Sequence, residues 1–136
     1  MPNLPDPFSG TWKLNLQQSN FDPNHRPSEA TMRFDLEPEG YLMRAEGVCN
    51  GNAVVEHPQR FILDGKEHPA PGAPEVTVLS TRPEPNTLRT VAQTSGRLLG
   101  EGTYVVSADG QTLTATVAGI DAQQRPFQTT VVWHRL

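Results

Sequence analysis

The side chains best suited to chemistry in this chain are the histidines and the cysteine, and their spacing matches no known reaction centre. The histidines lie far apart along the sequence: His25, His57, His68 and His134. No two of them have the spacing of a metal-binding motif. Cys49 is the single cysteine, and the turn-like sequence around it supplies no base that would activate a thiol. Nucleophile-elbow and phosphate-loop motifs are also missing, so we predict no catalytic residue, no metal and no cofactor.

The charge and hydropathy of the chain argue against two classes of partner. The formal net charge is -4 and basic residues form no run, so we do not expect nucleic acid to bind. No apolar stretch reaches the length of a membrane-spanning helix, so membrane insertion is not expected. No signal peptide is visible, which predicts a cytoplasmic protein as the chain stands, or a periplasmic or secreted one if a leader has been removed.

Hydrophobic residues that alternate with polar ones predict strands throughout the chain. The clearest segment has apolar residues at every second position: Ala30, Met32, Phe34 and Leu36. The residues between them are polar, which is typical of a strand with one buried and one solvated face. Similar segments recur to the C-terminus, separated by turn sequences such as Asn50-Gly51, and we count roughly ten strands. Between Asn15 and Ser28 we expect a short helical turn at residues 17–20.

The short connections between these segments predict how the strands are arranged. Most connections are too short for anything but hairpins, which indicates a meander of neighbouring antiparallel strands. Closure of the meander would remove its exposed edges. We therefore predict a single domain over residues 1–136, with an all-β fold that is an up-and-down antiparallel β-barrel of roughly 8–10 strands. A two-sheet sandwich has similar turn spacing and is the alternative.

The predicted first strand contains the sequence Gly10-Thr11-Trp12. This Gly-x-Trp sequence resembles the opening strand of the calycin barrels, the superfamily of lipocalins and fatty-acid-binding proteins. The chain also resembles a group of small bacterial lipocalin-like proteins of unassigned function, through residues 10–15, 64–66, 100–103 and 109–114. This second resemblance covers nearly the full chain and implies a fold without implying an activity.

The calycin resemblance implies roles for three residues. In lipocalins an arginine of the last strand lies across the first-strand tryptophan, so Gly10, Trp12 and Arg135 are expected to close one end of the barrel. Fatty-acid-binding proteins hold a ligand carboxylate with an Arg-x-Tyr pair on the final strand. The final strand here reads Val131-Val132-Trp133-His134-Arg135-Leu136 and has no such pair.

Strand alternation also predicts which side chains face the interior. Val55, His57, Gln59 and Phe61 share one face, and Gly100, Gly102 and Tyr104 share another. Because a proline interrupts strand pairing, the register beyond Pro58 is left open. Two inward glycines would leave open space beside the tyrosine. A few polar groups in an apolar pocket are typical of a small-molecule site. The predicted ligand-binding residues are Met32, Phe34, Met43, His57, Gln59, Leu88 and Tyr104.

The function that these features favour is non-catalytic binding of a small apolar or amphipathic molecule inside the barrel. One alternative is a barrel enzyme of the isomerase or cyclase type, with His57 or Tyr104 as general acid or base. Another is a structural or interaction module with a filled core, for which a homodimer is one possible assembly.

Overall fold

The computed structural model describes residues 6–20, 29–49, 52–55, 58–70, 73–120 and 124–136, and these residues form strands and turns without a helix. The strands are β1 (Gly10–Asn20), β2 (Glu29–Glu37), β3 (Gly40–Cys49), β4 (Asn52–Val55), β5 (Gln59–Ile62), β6 (Glu67–Ala70), β7 (Ala73–Glu84), β8 (Thr87–Thr94), β9 (Arg97–Val106), β10 (Thr112–Ile120) and β11 (Pro126–Arg135).

One antiparallel sheet contains all of these strands and curls into a nearly closed barrel. The order across the sheet is β4-β3-β2-β1-β11-β10-β9-β8-β7-β6, and β5 pairs with β3. Since β4 and β5 pair with different parts of β3, they occupy a single position in the sheet. The pairing of β1 with β11 joins the first strand to the last. The predicted all-β up-and-down barrel is therefore confirmed.

The expectation of a helical turn at residues 17–20 is wrong, because β1 continues to Asn20. Its pairing with β11 is irregular there: Asn15 pairs with Val132, and the next pair joins Asn20 to Thr130. Within this irregularity the Ser19 hydroxyl donates to the Asn15 carbonyl at 2.6 Å and accepts from the Val132 N–H at 2.8 Å. A side chain thus supplies the partner that the backbone ladder lacks, so the strand keeps its neighbour without forming a helical turn.

The register changes between β4 and β5, at Pro58, where the sequence interpretation left it open. Val55 pairs with Glu46, whereas Gln59 pairs with Met43. Three positions separate the partners on β3, but four separate the residues opposite them, so the register shifts by one residue between β4 and β5. Because side chains alternate with period two, a predicted face does not carry across this shift, and Gln59 lies on the Met43 face of the sheet.

The large buried side chains are concentrated toward one end of the barrel, which we call the closed end. It is the end formed by residues 6–9 and by the turns at residues 38–39, 85–86 and 108–109. The largest fully buried hydrophobic side chains are Trp12, Tyr41, Phe8, Phe34, Phe61, Leu88, Leu113 and Val106. Phe34 is central among the rings: its centroid lies 5.7 Å from Phe8, 6.0 Å from Phe61 and 6.4 Å from Tyr104.

Candidate functional site

The predicted contact between the first and last strands is present at the closed end. Arg135 pairs with Trp12 in the β1–β11 ladder, and its guanidinium carbon lies 4.3 Å from the centroid of the indole ring. The guanidinium also donates to the carbonyl oxygens of Pro7 at 2.6 Å, Ser9 at 2.7 Å and Gly110 at 2.8 Å. One side chain thus combines a cation–π contact with three hydrogen bonds that fix the segment before β1 and the turn before β10.

Gly10 has a structural role in this contact. Its φ is 123°, a value that disfavours other residues. A Cβ atom at this position would also lie 2.8 Å from Nη1 of Arg135. The glycine is therefore required both by the backbone conformation and by the close passage of the arginine, which accounts for the glycine two residues before Trp12.

A second polar network closes the same end, and the sequence interpretation missed it. The Asp6 carboxylate accepts from the backbone N–H groups of Phe8 (3.1 Å) and Ser9 (2.8 Å). The Tyr41 hydroxyl donates to the same carboxylate at 2.5 Å and accepts from Arg82 at 3.1 Å. The segment is held so that Phe8 is fully buried, and Trp12 donates its indole N–H to the Phe8 carbonyl at 3.0 Å.

The ionisation of this network is shifted by its surroundings. Burial acts to raise the pKa of Asp6, but the hydrogen bonds from Tyr41, Ser9 and Phe8 outweigh it, so the pKa lies below its ordinary value. Burial, and then the hydrogen bond to Asp6, raise the pKa of the Tyr41 phenol well above its ordinary value. At neutral pH the pair is therefore a carboxylate accepting a hydrogen bond from a neutral phenol.

The two arginines at the closed end are engaged in holding it together. Arg82 donates to the Pro85 carbonyl through Nε at 3.0 Å, and it lies over the rings of Phe8 and Tyr41 at 5.9 and 5.8 Å. Part of this network has a local signal in the sequence. An aspartate side chain often accepts hydrogen bonds from the backbone N–H groups two or three residues later, in an Asx turn. Tyr41 and Arg82 are distant in sequence from Asp6, so no local pattern could identify them.

Beyond Tyr104, the inward positions of four adjacent strands carry short side chains. One row of cross-strand partners consists of Val117, Gly102, Thr90 and Ser80. The next row consists of Gly119, Gly100, Ala92 and Val78. We call these eight residues of β7–β10 the small-residue wall. Because none is larger than valine, the wall extends little into the barrel interior, in contrast to the aromatic side chains of the closed end.

The expected open space beside Tyr104 is not present at Gly102. A Cβ atom on Gly102 would lie 3.3 Å from Cε2 and 3.4 Å from the hydroxyl oxygen of Tyr104, so the ring covers the glycine. Gly100 and Gly119 are cross-strand partners with a different role: a Cβ on Gly119 would lie 2.6 Å from the Leu99 carbonyl oxygen. Gly102 lets the Tyr104 ring lie close to its own strand, and Gly100 and Gly119 let the backbones of β9 and β10 approach each other closely.

Three neutral hydroxyl groups lie on the inner surface at or beside the small-residue wall, and we call them the hydroxyl cluster: Ser80, Thr90 and Tyr104. Their exposed fractions are only 2%, 8% and 8%. Ser80 donates to Thr90 at 3.4 Å across the β7–β8 pair. The Tyr104 hydroxyl and the Thr90 methyl both lie 3.4 Å from the Cβ position of Gly102, so Tyr104 extends back over the same surface. A hydroxyl donates one hydrogen bond and accepts two, so the cluster can bind a polar group inside the barrel.

The predicted ligand-binding residues occupy two kinds of position. Five are buried in one connected hydrophobic core: Met32, Phe34, Met43, Leu88 and Tyr104. Gln59 is half-buried and pairs with Met43, which places it on the inward face. His57 lies outside the described residues. Tyr104 connects the two regions, since its ring contacts Phe34 and Phe61 on one side and covers Gly102 on the other.

The sequence interpretation missed Ser80 and Thr90 as candidate site residues. Thr90 could have been predicted from the sequence, because it alternates with Leu88 and Ala92 on the inward face of β8. The partner hydroxyl of Ser80 depends on the register between β7 and β8, which strand alternation alone does not fix.

The remaining titratable groups form no further centre in the part of the chain that is described. No group of three or more His, Cys, Asp or Glu side chains is arranged to hold a metal there. His68 lies 3.0 Å from the Asp64 carboxylate, and His134 lies 2.7 Å from the Asn15 amide nitrogen, both on exposed surface. Across the described ranges, no helix is long and apolar enough to span a membrane.

Comparison with solved structures gives matches along nearly the whole chain. One is the zebrafish ileal bile-acid-binding protein complexed with cholic acid, with a TM-score of 0.57 and 13% identity over 96% of this chain and 99% of that one. Another is As-p18, an extracellular fatty-acid-binding protein, with a TM-score of 0.51 and 13% identity over 99% of this chain and 100% of that one. No protein-family model and no curated protein sequence matches the chain.

Proposed function

We propose that this chain is a non-catalytic binding protein that holds a small apolar or amphipathic molecule inside the barrel. It shares the barrel fold of the bile-acid- and fatty-acid-binding proteins described above. The observation that carries this proposal is the small-residue wall, whose short side chains face the interior beside a packed aromatic core. Burial of apolar ligand surface would supply the affinity, at about 25 cal/mol per Å².

The comparisons support the ligand class without identifying a ligand. One of the two proteins is complexed with cholic acid and the other is a fatty-acid-binding protein, and both ligands are apolar molecules with a polar end. Their identity to this chain is 13%, so the likeness concerns the fold, and the transfer of a ligand class is part of the proposal. Kinship with the small bacterial lipocalin-like proteins and a single-domain organisation belong to the proposal as well.

The proposed ligand site lies between the small-residue wall and the core. Met32, Phe34, Met43 and Leu88 would contact the ligand from the core side, and Gln59, His57 and Tyr104 would supply polar partners. Gly10, Trp12 and Arg135 would act only in closing the far end, because the Arg135 guanidinium is engaged by backbone carbonyls.

Binding of the neutral lipophilic dye Nile red tests this proposal. We expect the protein to enhance the dye's fluorescence in a saturable manner, and Ala92→Leu to weaken dye binding about tenfold or more by filling space at the wall. Val91→Leu is the matched control, because Val91 is the adjacent β8 residue and pairs with exposed Glu101 on the outer face.

Two results would contradict the proposal. The first is the absence of dye binding by folded wild-type protein, which would favour the interaction module with a filled core. The second is equal weakening by Ala92→Leu and Val91→Leu, which would place the dye elsewhere. Native mass spectrometry of protein purified from cells provides a second measurement, in which a retained small molecule is expected.

A further inference from the structure

We propose that the polar end of the ligand is uncharged, as in an alcohol or a ketone, and that the hydroxyl cluster binds it. This inference rests on the proposed function and specifies its ligand class. The polar side chains of the small-residue wall and its neighbour Tyr104 are three neutral hydroxyls, and all three are more than nine-tenths buried.

The geometry of the cluster suits a single small polar group. Ser80 and Thr90 are joined by a long hydrogen bond of 3.4 Å, which leaves most of their donor and acceptor capacity for a closer partner. Tyr104 approaches the same surface over Gly102. A ligand hydroxyl donates and accepts at once, and a ketone oxygen accepts two hydrogen bonds, so either can exchange hydrogen bonds with these side chains.

The positive charges of the described residues lie away from this cluster. Arg82 and Arg135 are at the closed end, where they donate to backbone carbonyls and lie against aromatic rings. The remaining described cationic side chains are exposed: Lys13, Arg33, Arg44, Arg60, Lys66, Arg89, Arg97 and Arg125. Moving a carboxylate out of water costs far more free energy than moving a hydroxyl, unless a cation pairs with it. The hydroxyl cluster therefore favours a neutral head group over an ionised one.

Displacement of Nile red by 1-decanol and by decanoate at pH 8 tests the inference, because these molecules share one chain and differ in the charge of the head group. We expect 1-decanol to displace half of the dye at a concentration at least about tenfold lower than decanoate. Displacement by decanoate at an equal or lower concentration would overturn the inference, and so would dye binding that neither molecule reverses. Failure of the wild-type protein to bind the dye at all would instead contradict the proposed function.

Variants that remove one hydroxyl locate the head group. We expect Thr90→Val, which keeps the side-chain shape, and Tyr104→Phe each to raise the 1-decanol concentration for half-displacement about fivefold, with little change for decanoate. Thr103→Val is the matched control, since Thr103 pairs with exposed Arg89 on the outer face of β9. Equal effects on 1-decanol and decanoate, or no effect of either variant on 1-decanol, would contradict the assignment. Far-UV circular dichroism of each variant verifies that the barrel is intact.

Discussion

The closed end and the small-residue wall are built by the same strands, yet their interiors differ in side-chain size. On β8 the inward residues decrease from Leu88 to Ala92, and on β9 they change from Val106 and Tyr104 to two glycines. At the closed end, residues 6–9 add Phe8 from outside the barrel wall, where two polar networks hold it. The inward positions recur at every second residue along the whole strand. They form a packed region where their side chains are large, and an open-walled region where their side chains are short.

This difference suggests a division of roles between stability and binding. Large apolar side chains that are fully buried contribute most of the free energy of folding per residue. The small-residue wall of glycine, alanine, valine and hydroxyl residues contributes less, because it buries less apolar surface. The barrel can therefore leave the wall available to a ligand while the closed end stabilises the fold.

The largest expected effect is at Phe8, which fills the closed end. Phe8→Ala should lower the free energy of unfolding by about 3–5 kcal/mol, because it removes a fully buried ring in contact with Phe34 and Tyr41. Urea denaturation followed by tryptophan fluorescence measures the change. Val78→Ala in the small-residue wall is the comparison variant, and it should cost about 1 kcal/mol or less. Losses of equal size would contradict the division between the two regions.

An intermediate effect is expected at Arg135. Arg135→Lys keeps the charge but removes the planar fork that reaches three carbonyl oxygens while covering Trp12, so the unfolding free energy should fall by about 1–3 kcal/mol. Arg89→Lys is the control, because Arg89 forms an exposed ion pair with Glu101 and should change stability by about 0.5 kcal/mol or less. The division of roles further requires that Nile red binding by folded Arg135→Lys equal that of the wild type. A weakened dye affinity at unchanged fold would place the arginine near the ligand.

The smallest effect is the pH dependence contributed by Asp6. Its pKa is lowered in the folded protein, so its stabilising contribution is present at pH values above the unfolded-state pKa and is lost as the pH falls through the folded-state pKa. The free energy of unfolding should therefore decrease on acidification below about pH 5, and Asp6→Asn should be less stable at pH 7 and show a shallower decrease.

Other carboxylates also have lowered pKa values and contribute to the pH dependence of the wild type. The Asp6 contribution is therefore obtained by measuring the free energy of unfolding in urea at pH 7 and at pH 3, and by comparing its change in the wild type with its change in Asp6→Asn. Asp109→Asn is a useful reference, because the Asp109 carboxyl is exposed in the turn before β10 and its pKa is lowered by local hydrogen bonds from Ser107 and Gln111. An Asp6→Asn profile parallel to that of the wild type would contradict the role given to the Asp6 carboxylate.

Local patterns in the sequence were sufficient for several features. The alternation of Ala30, Met32, Phe34 and Leu36 with polar residues predicted a strand, and β2 occupies Glu29–Glu37. Gly10, Trp12 and Arg135 were identified by resemblance, and their contact is present. The helical turn at residues 17–20 was wrong because the Ser19 hydroxyl bonds to both β1 and β11, an interaction across more than one hundred residues.

The amino-acid sequence by itself determined most of the strands, most of their inward faces and the decrease in side-chain size along β8 and β9, because these properties depend on residues two positions apart. Only the tertiary structure decided which hydroxyl side chains share one part of the inner surface. Ser80 and Thr90 become neighbours through the β7–β8 register, and Tyr104 covers Gly102 because the glycine lacks a Cβ atom. It also decided that Asp6, Tyr41 and Arg82 close the end opposite the proposed ligand site, since residues 35 and 41 positions apart are brought together only by closure of the barrel.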